Sequence, residues 1–296
     1  MTRSRRSSRN SARRGLCNFC CGLLALLVIL CGCSVCGTFT YCKTNLAVSI
    51  PEILKKEYKT DSVARLVGQT LWVYLPVENM IEAPEKPQKY IEKFDVKRNR
   101  SRFVGPILRS EFYVKPVPAR EKIQETAISK QAMDTISNAW KVIRRVVFSM
   151  HPREREEVKF FVLVISDIKL GYEIREYFYY QDLSKVSYGL ISVGEYQHRV
   201  VQESGGGKGI VGDVLGTHLE YTDMTLRDFV TRQIQHRVGL KFQKPEVEPG
   251  IDIDKEMQKV VADTLRIYGI KDFERAELNN LVSQQRSLLE NRDVWR

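Results

Sequence analysis

The sequence predicts an α+β fold: an antiparallel sheet with packed helices and a helical C-terminal region, behind an N-terminal membrane anchor. Three observations predict it. Residues 15–42 carry no charged side chain. Residues 158–168 (VKFFVLVISDI) are apolar on both faces, as in a buried central strand. Residues 120–150 place apolar side chains at helical spacing directly before that strand.

The tail before the anchor is strongly basic. Residues 1–14 contain six arginines and no acidic side chain. Cations beside an apolar span stay in the cytoplasm, so we expect this tail inside and the body, residues 43–296, outside. In a bacterium the body would be periplasmic or on the cell surface. The tail cannot bury a core and is expected to be disordered.

Two kinds of anchor fit residues 15–42. The sequence LCGC at 30–33 resembles the bacterial lipobox, in which a cysteine is acylated, and this resemblance implies lipid attachment at Cys33. The segment also exceeds the roughly 20 residues that cross a bilayer core, so it could be retained as one transmembrane helix. The sequence leaves both forms open. All seven cysteines lie in this segment: Cys17, Cys20, Cys21, Cys31, Cys33, Cys36 and Cys42.

The charge of the body is modest. Without the tail's six arginines, 41 Lys and Arg stand against 36 Asp and Glu. The pI of about 9.3 therefore reflects the tail in part, and we expect no nucleic-acid partner. The body has no cysteine beyond the anchor and depends on packing rather than on disulfides.

Residues 43–119 are predicted to form a helix, a β-hairpin and a charged loop region. A helix is expected at 51–58, with proline in its first turn. Strands at 62–67 and 70–76 flank a Gly-Gln turn. Residues 78–102 are charged throughout and are predicted as a surface loop. Prolines favour edge strands over 103–117.

Residues 120–221 are predicted to form the core α+β unit. Helix 120–150 should cross one face of a sheet whose central strand is 158–168. Strands at 172–180 and 185–188 continue the meander, and a capping box opens a helix at 192–203. The residues expected among the most buried are Leu163, Val164, Trp140 and Ile143.

Residues 222–296 are predicted to be helical, with helices at 224–238, 254–268 and 273–292. Glycines at 239 and 269 are placed as C-terminal caps of the first two. The third helix would carry an apolar stripe, which packs on the preceding helix or, as the alternative, on a second copy or another envelope protein. The stripe consists of Leu278, Leu281, Val282, Leu288 and Leu289.

One carboxylate pattern suggests catalysis. Asp167 followed by Glu173-Ile174-Arg175 loosely resembles the D…E-x-K set of metal-dependent nucleases of the restriction-endonuclease type, with arginine in place of lysine. The resemblance implies that Asp167 and Glu173 bind Mg²⁺ in a hydrolase. This alternative requires the two carboxylates to converge within about 5 Å.

Other site patterns are incomplete. His218 and Glu220 would share a strand face, but no second histidine stands at ligand spacing. Residues 207–212 spell G-x-G-x-x-G, but the predicted elements around them are in the wrong order for a dinucleotide site. We therefore assign no catalytic residue, cofactor or metal from the sequence.

The most suggestive surface is aromatic. Glu173, Arg175, Tyr177 and Tyr179 would share one strand face, and tyrosine suits binding of a peptide or a glycan. The alternative is that the C-terminal helices cover this face. We interpret the protein as a membrane-anchored module of the cell envelope, non-enzymatic, that binds or assembles with an envelope protein or a glycan; the hydrolase is the alternative.

Overall fold

A computed structural model describes residues 40–296, apart from the side chains of Arg98 and Asn99. Helices and several sheets mix along the chain, so the α+β class is confirmed. The strands are β1 (Val63–Val67), β2 (Thr70–Val77), β3 (Ile81–Glu82), β4 (Lys89–Val104), β5 (Ile107–Ile123), β6 (Ala127–Ile128), β7 (Phe160–Asp167), β8 (Tyr172–Tyr179), β9 (Val201–Gly206), β10 (Arg275–Asn280) and β11 (Arg286–Glu290). The helices are α1 (Leu46–Tyr58), α2 (Lys130–Phe148), α3 (Pro152–Glu157), α4 (Tyr180–Ser187), α5 (Val193–Gln197), α6 (Leu226–Gln243), α7 (Ile253–Ile267) and α8 (Asn291–Val294).

The main sheet has the strand order β1-β2-β7-β8-β9. Its middle strand is β7, as the apolar run predicts, and all of its residues are buried. Leu163, Val164 and Ile143 are buried as expected. Trp140 is only half-buried, because it lies at the rim of α2 rather than beneath it.

Alternate residues of β7 point to opposite faces of the sheet, so each face needs its own cover. One face packs against α1 and α2, where Leu54 and Val146 meet strand residues such as Leu163. The other packs against α6, α7 and a second sheet, where Phe229 and Phe112 join Val162. The predicted crossing of one face by the long helix is confirmed.

The main sheet is mixed rather than antiparallel. Strands β2 and β7 run parallel, with Tyr74 beside Val164, whereas β1-β2, β7-β8 and β8-β9 are antiparallel. Between β2 and β7 the chain passes through the second sheet and α2, and it re-enters in the same direction. A long crossover permits this parallel pairing, which a tight hairpin would not.

A second sheet has the order β11-β10-β5-β4. Its main feature is the long antiparallel hairpin of β4 and β5. The predicted surface loop at 78–102 is therefore wrong for most of its length. Along β5, Leu108, Ser110, Phe112 and Val114 are buried, and the residues that alternate with them, 109, 111 and 113, are more exposed. A charged strand of this kind buries only one of its faces. The charged residues on the other face made the segment resemble a loop in the sequence.

The predicted C-terminal helix at 273–292 is wrong. The segment forms the hairpin of β10 and β11, and β10 pairs in parallel with β5. Leu278 and Leu289 are buried, whereas Leu288 is 63% exposed and Leu281 is 45% exposed. The apolar positions fit a helical stripe, but the pairing with β5, which is distant in sequence, selects strands.

Several element boundaries also differ. The long helix starts at Lys130, because residues up to Ile123 pair with β4. The strand predicted at 185–188 belongs to α4, and the helix predicted at 192–203 ends at Gln197, before β9. Of the two predicted glycine caps, Gly269 follows α7 with a positive φ and is confirmed. The glycine at 239 instead lies inside α6.

The predicted tail and most of the predicted anchor, including Cys33, lie outside the described residues. At its described end, Tyr41 forms a parallel bridge with Met150, and Cys42 precedes a 3₁₀ turn, Lys43–Asn45. Within residues 40–296, none of the helices combines the length and hydropathy needed to cross a bilayer.

Candidate functional site

A cleft opens at the ends of β8 and β9, on the face of the main sheet that packs against α6. Its volume is about 440 Å³. We call it the Glu173 cleft. Its lining comprises Glu173, Arg175, Glu203, Ser204, Ile210, His218 and the glycines at 205, 206, 207 and 209.

Glu173 is the buried centre of the cleft. Its side chain is 7% exposed, yet three groups donate to it. Ser166 Oγ lies 3.2 Å from Oε2, His218 Nε2 lies 2.9 Å from the same oxygen, and Arg175 Nε lies 2.6 Å from Oε1. Ser166 faces Glu173 across the β7-β8 pair, so the two strands position this part of the site.

A tight loop brings His218 to Glu173. The Asp213 carboxylate accepts hydrogen bonds from the N–H of Leu215 at 3.1 Å, from the N–H of His218 at 2.9 Å and from the His218 ring at 2.6 Å. Burial alone would raise the pKa of Asp213, but these hydrogen bonds hold it well below its usual value of 3.8. Ionised Asp213 therefore stabilises the loop.

The loop also depends on Gly216. This residue has a φ of +65°, and a Cβ there would lie 2.9 Å from Tyr74 Cγ. The Tyr74 hydroxyl donates to the Asp213 carbonyl from beneath the loop. Burial raises the pKa of Tyr74 to about 12, so the hydroxyl keeps its proton and this donor role at neutral pH. A side chain at 216 would push the loop away from Tyr74.

Both ring nitrogens of His218 face carboxylates, Asp213 on one side and Glu173 on the other. A carboxylate only accepts hydrogen bonds, so a ring nitrogen that carries a proton donates to the carboxylate beside it. Both ring nitrogens lie against carboxylates of the site, and these contacts hold the imidazole in place as part of a polar wall of the cleft.

The two carboxylates of the hydrolase alternative do not converge. Glu173 shares its sheet face with Tyr177, whereas Asp167 points to the opposite face with Leu163. Asp167 is already used by the backbone: it accepts from the N–H of Met80 at 2.7 Å and from those of the two residues at 169 and 170. Within residues 40–296 there is no cluster of three or more His, Cys, Asp or Glu arranged to hold a metal ion.

The tyrosines of the predicted binding face are covered. Tyr177 lies under the Arg232 guanidinium of α6 and donates to Glu203 at 3.1 Å, and burial raises its pKa to about 12. Tyr179 stacks on Phe160 with ring centroids 5.3 Å apart. The geometry thus matches the covered alternative for both tyrosines, and of the four predicted residues only Glu173 and Arg175 line the cleft.

Beside the cleft, β9 forms an edge of the main sheet. Gly205 lies opposite Glu173, and no atom of the described residues outside its immediate neighbours lies within 4 Å of where its Cβ would be. The N–H of Gly207 donates to the Gly171 carbonyl at 2.9 Å. Because N–H groups alternate in direction along an antiparallel strand, those of residues 203 and 205 face β8 and those of 202, 204 and 206 face outward.

Sequence reasoning missed Ser166, Glu203 and Asp213 as members of this site. The spacing of Asp213 and His218 was a usable signal, since an Asp that caps a short loop accepts N–H groups two to five residues later. The predicted partner of His218, Glu220, is exposed, and Glu173 and Asp213 take its place. In comparisons with known protein families, curated proteins and solved structures, this chain matches none of them.

Proposed function

We propose that this protein is a membrane-tethered module outside the cytoplasm that binds an extended segment of a cell-envelope protein along the free edge of β9. The observation that carries the proposal is this edge itself: a glycine-rich strand, with outward N–H groups, beside a polar cleft. An extended peptide adds to such an edge through main-chain hydrogen bonds, and pockets beside the edge select its side chains.

As far as residues 40–296 are concerned, the edge of β9 lacks the usual protection. Exposed sheet edges are normally blunted by lysine, proline, a bulge or a covering element, since they would otherwise pair with other chains. Within β9, residues 204–206 are Ser-Gly-Gly and all are exposed. In the described part of the chain, β8 is the one strand that pairs with β9.

The cleft supplies selectivity on one face of an added strand. Arg175 has a side chain that is 34% exposed, and Glu203 is exposed to a similar degree. Arg175, which pairs with Glu173, and Glu203, which pairs with Arg232, would present their exposed parts side by side to the ligand. Glu173 and His218 form the rigid floor, because their hydrogen bonds already hold them in place.

We propose the membrane tether because residues 15–42 are uncharged and the tail before them is basic. Intact-mass analysis of the membrane-extracted protein tests it. Loss of residues 1–32 with a lipid on Cys33 supports the lipoprotein, and an intact N-terminus supports the retained span. Digestion of the body by protease only after the cytoplasm is opened would reject the proposed location.

Strand addition is tested by panning a random peptide library on the full-length protein in detergent. Bound peptides should protect the outward N–H groups of residues 202, 204 and 206 from hydrogen exchange. The variant S204P removes one outward N–H and should abolish binding, while S204T keeps the N–H and should bind normally. Peptides that bind S204P as well as they bind the parent would defeat the proposal.

A further inference from the structure

A second cavity lies among α2, β8, α5 and α6. Glu176 and Phe178 project into it from the face of β8 opposite to Glu173. The cavity has a volume of about 700 Å³. We call it the Glu176 cavity. Its lining includes Trp140, Glu176, Phe178, Tyr196, Arg144 and His236.

Among residues 40–296, Glu176 is a carboxylate without a cationic partner. Trp140 Nε1 donates to Oε2 at 3.2 Å and Gln202 Nε2 donates to Oε1 at 3.5 Å, and both donors are neutral. Across β7 it stands beside Leu163, a core residue. Burial raises the pKa of Glu176, because the ionised form loses solvation without gaining a charge partner. No ion pair to Glu176 occurs within the described residues.

The walls around Glu176 are aromatic. Trp140 meets Phe178 in an edge-to-face contact. The Tyr196 hydroxyl is buried, and within the part of the chain that the structure describes it has no hydrogen-bond partner. A buried hydroxyl without a partner is unfavourable, because its hydrogen bond to water is lost and not replaced. A ligand that donates to this oxygen would therefore replace the missing hydrogen bond.

We propose that the Glu176 cavity binds an alkylammonium group, with the charged nitrogen between Glu176 and Tyr196 and the alkyl stem against Trp140 and Phe178. An ammonium has three donors and no acceptor, which matches a carboxylate and a hydroxyl oxygen. Aromatic faces attract cations and also bury the stem. The proposal goes beyond strand addition at β9 and does not depend on it.

Three basic side chains line the same cavity, Arg144, His198 and His236, and they affect which ligand charge it accepts. Burial, together with nearby Arg237 and His198, lowers the pKa of His236 to about 4, so this imidazole is neutral at pH 7. Arg144 is exposed at the rim, where its charge is screened by water. The Arg144 charge should weaken the binding of a cation slightly and should not weaken the binding of an anion. Removing this charge therefore tests whether the ligand is a cation or an anion.

The test is isothermal titration of the full-length protein in detergent with n-hexylammonium at pH 7, with 1-hexanol as the neutral analogue. Hexylammonium should bind at least tenfold tighter than hexanol. E176Q should remove most of this preference, and Y196F should weaken hexylammonium binding severalfold. R144Q should strengthen it about twofold, since a rim cation is lost. The control is E156Q, which replaces an exposed glutamate elsewhere.

A free amine and a lysine side chain both present an alkylammonium group. Nα-acetyl-lysine amide, which keeps the charged side chain, is therefore titrated in parallel. Tighter binding of the lysine compound indicates a peptide ligand, and tighter binding of hexylammonium indicates a free amine; either supports the site. Circular dichroism verifies that each variant is folded. Equal binding of hexylammonium and hexanol, or a folded E176Q that binds like the parent, would overturn the proposal.

Discussion

The hydroxyl of Tyr268 donates to the carboxylate of Asp182 at 3.0 Å, and this bond joins the end of α7 to α4 across the protein interior. Arg199 completes the group, with Nη1 2.7 Å from the same carboxylate. Asp182 is 2% exposed. Burial raises the pKa of Tyr268 above its usual range, with the Asp182 charge adding to the effect. The α4 segment, predicted in part as a strand, is thus fixed by a buried charge pair.

We expect D182N to lower the free energy of unfolding by about 3 kcal/mol, because it removes the charge that Arg199 faces in the interior. D263N is the matched control: Asp263 pairs with Arg266 on the surface and is 58% exposed, so a change within about 0.5 kcal/mol is expected. Urea unfolding of both variants measures the difference. Equal losses would mean that the buried pair contributes no more than a surface pair.

In the C-terminal hairpin, we expect replacement of two nearby leucines to change protein stability by different amounts. L278A should destabilise the protein by about 2–5 kcal/mol, because Leu278 is 1% exposed in the core between β10 and α7. L288A should change stability little, since Leu288 is 63% exposed. Thermal unfolding compares the two variants. Similar losses at both positions would instead fit the helical stripe that the sequence predicts.

From the sequence, packing on a second copy is the alternative for the C-terminal apolar stripe, and Leu281 and Leu288 are the exposed leucines of that stripe. Changing Leu281 and Leu288 together to Asp should leave the melting temperature unchanged, because both side chains are exposed. Light scattering on the full-length protein in detergent measures the oligomeric state. Dissociation of an oligomer would place the interface on this hairpin, and an unchanged state would exclude these two side chains from it.

Because the pKa of His236 is lowered in the folded protein, we expect stability to change with pH. The folded pKa of His236 is about 4, below its ordinary value of 6.5, so between these pH values the unfolded chain binds more protons than the folded one. Stability therefore falls as the pH drops from 6.5 towards 4, by at most about 3 kcal/mol from this group. H236Q should flatten the decline measured by urea unfolding. A slope that H236Q leaves unchanged would show that this imidazole does not cause the decline.

We expect the loop that contains Asp213 to be destabilised by any side chain at position 216. G216A should cost about 3 kcal/mol, through the left-handed backbone and the contact of its new Cβ with Tyr74. G189A is the control, since Gly189 also has a positive φ but open space around it, and about 1 kcal/mol is expected there. Equal costs would show that the loop moves freely off Tyr74.

Elements that depend on residues close together in the chain are predictable from the sequence, and elements that depend on distant pairing are not. The hairpin of β1 and β2, the strand β7 and the strand β8 were predicted because each depends on residues a few positions apart. The segment at 275–290 was mistaken because its apolar positions fit a helix and a hairpin equally well. Its pairing with β5 joins Leu278 to Ser110, and no local pattern reports a contact of that separation.

The candidate site shows the same division. The sequence by itself determined that Glu173 and Arg175 share a strand face, because side chains alternate along any strand. Only the tertiary structure decided that Asp167 faces the other way with its lone pairs used by backbone N–H groups, and that His218 bridges Glu173 and Asp213. Those contacts depend on a loop that folds over β2 and on which helix covers which face, and both are set by packing between distant parts of the chain.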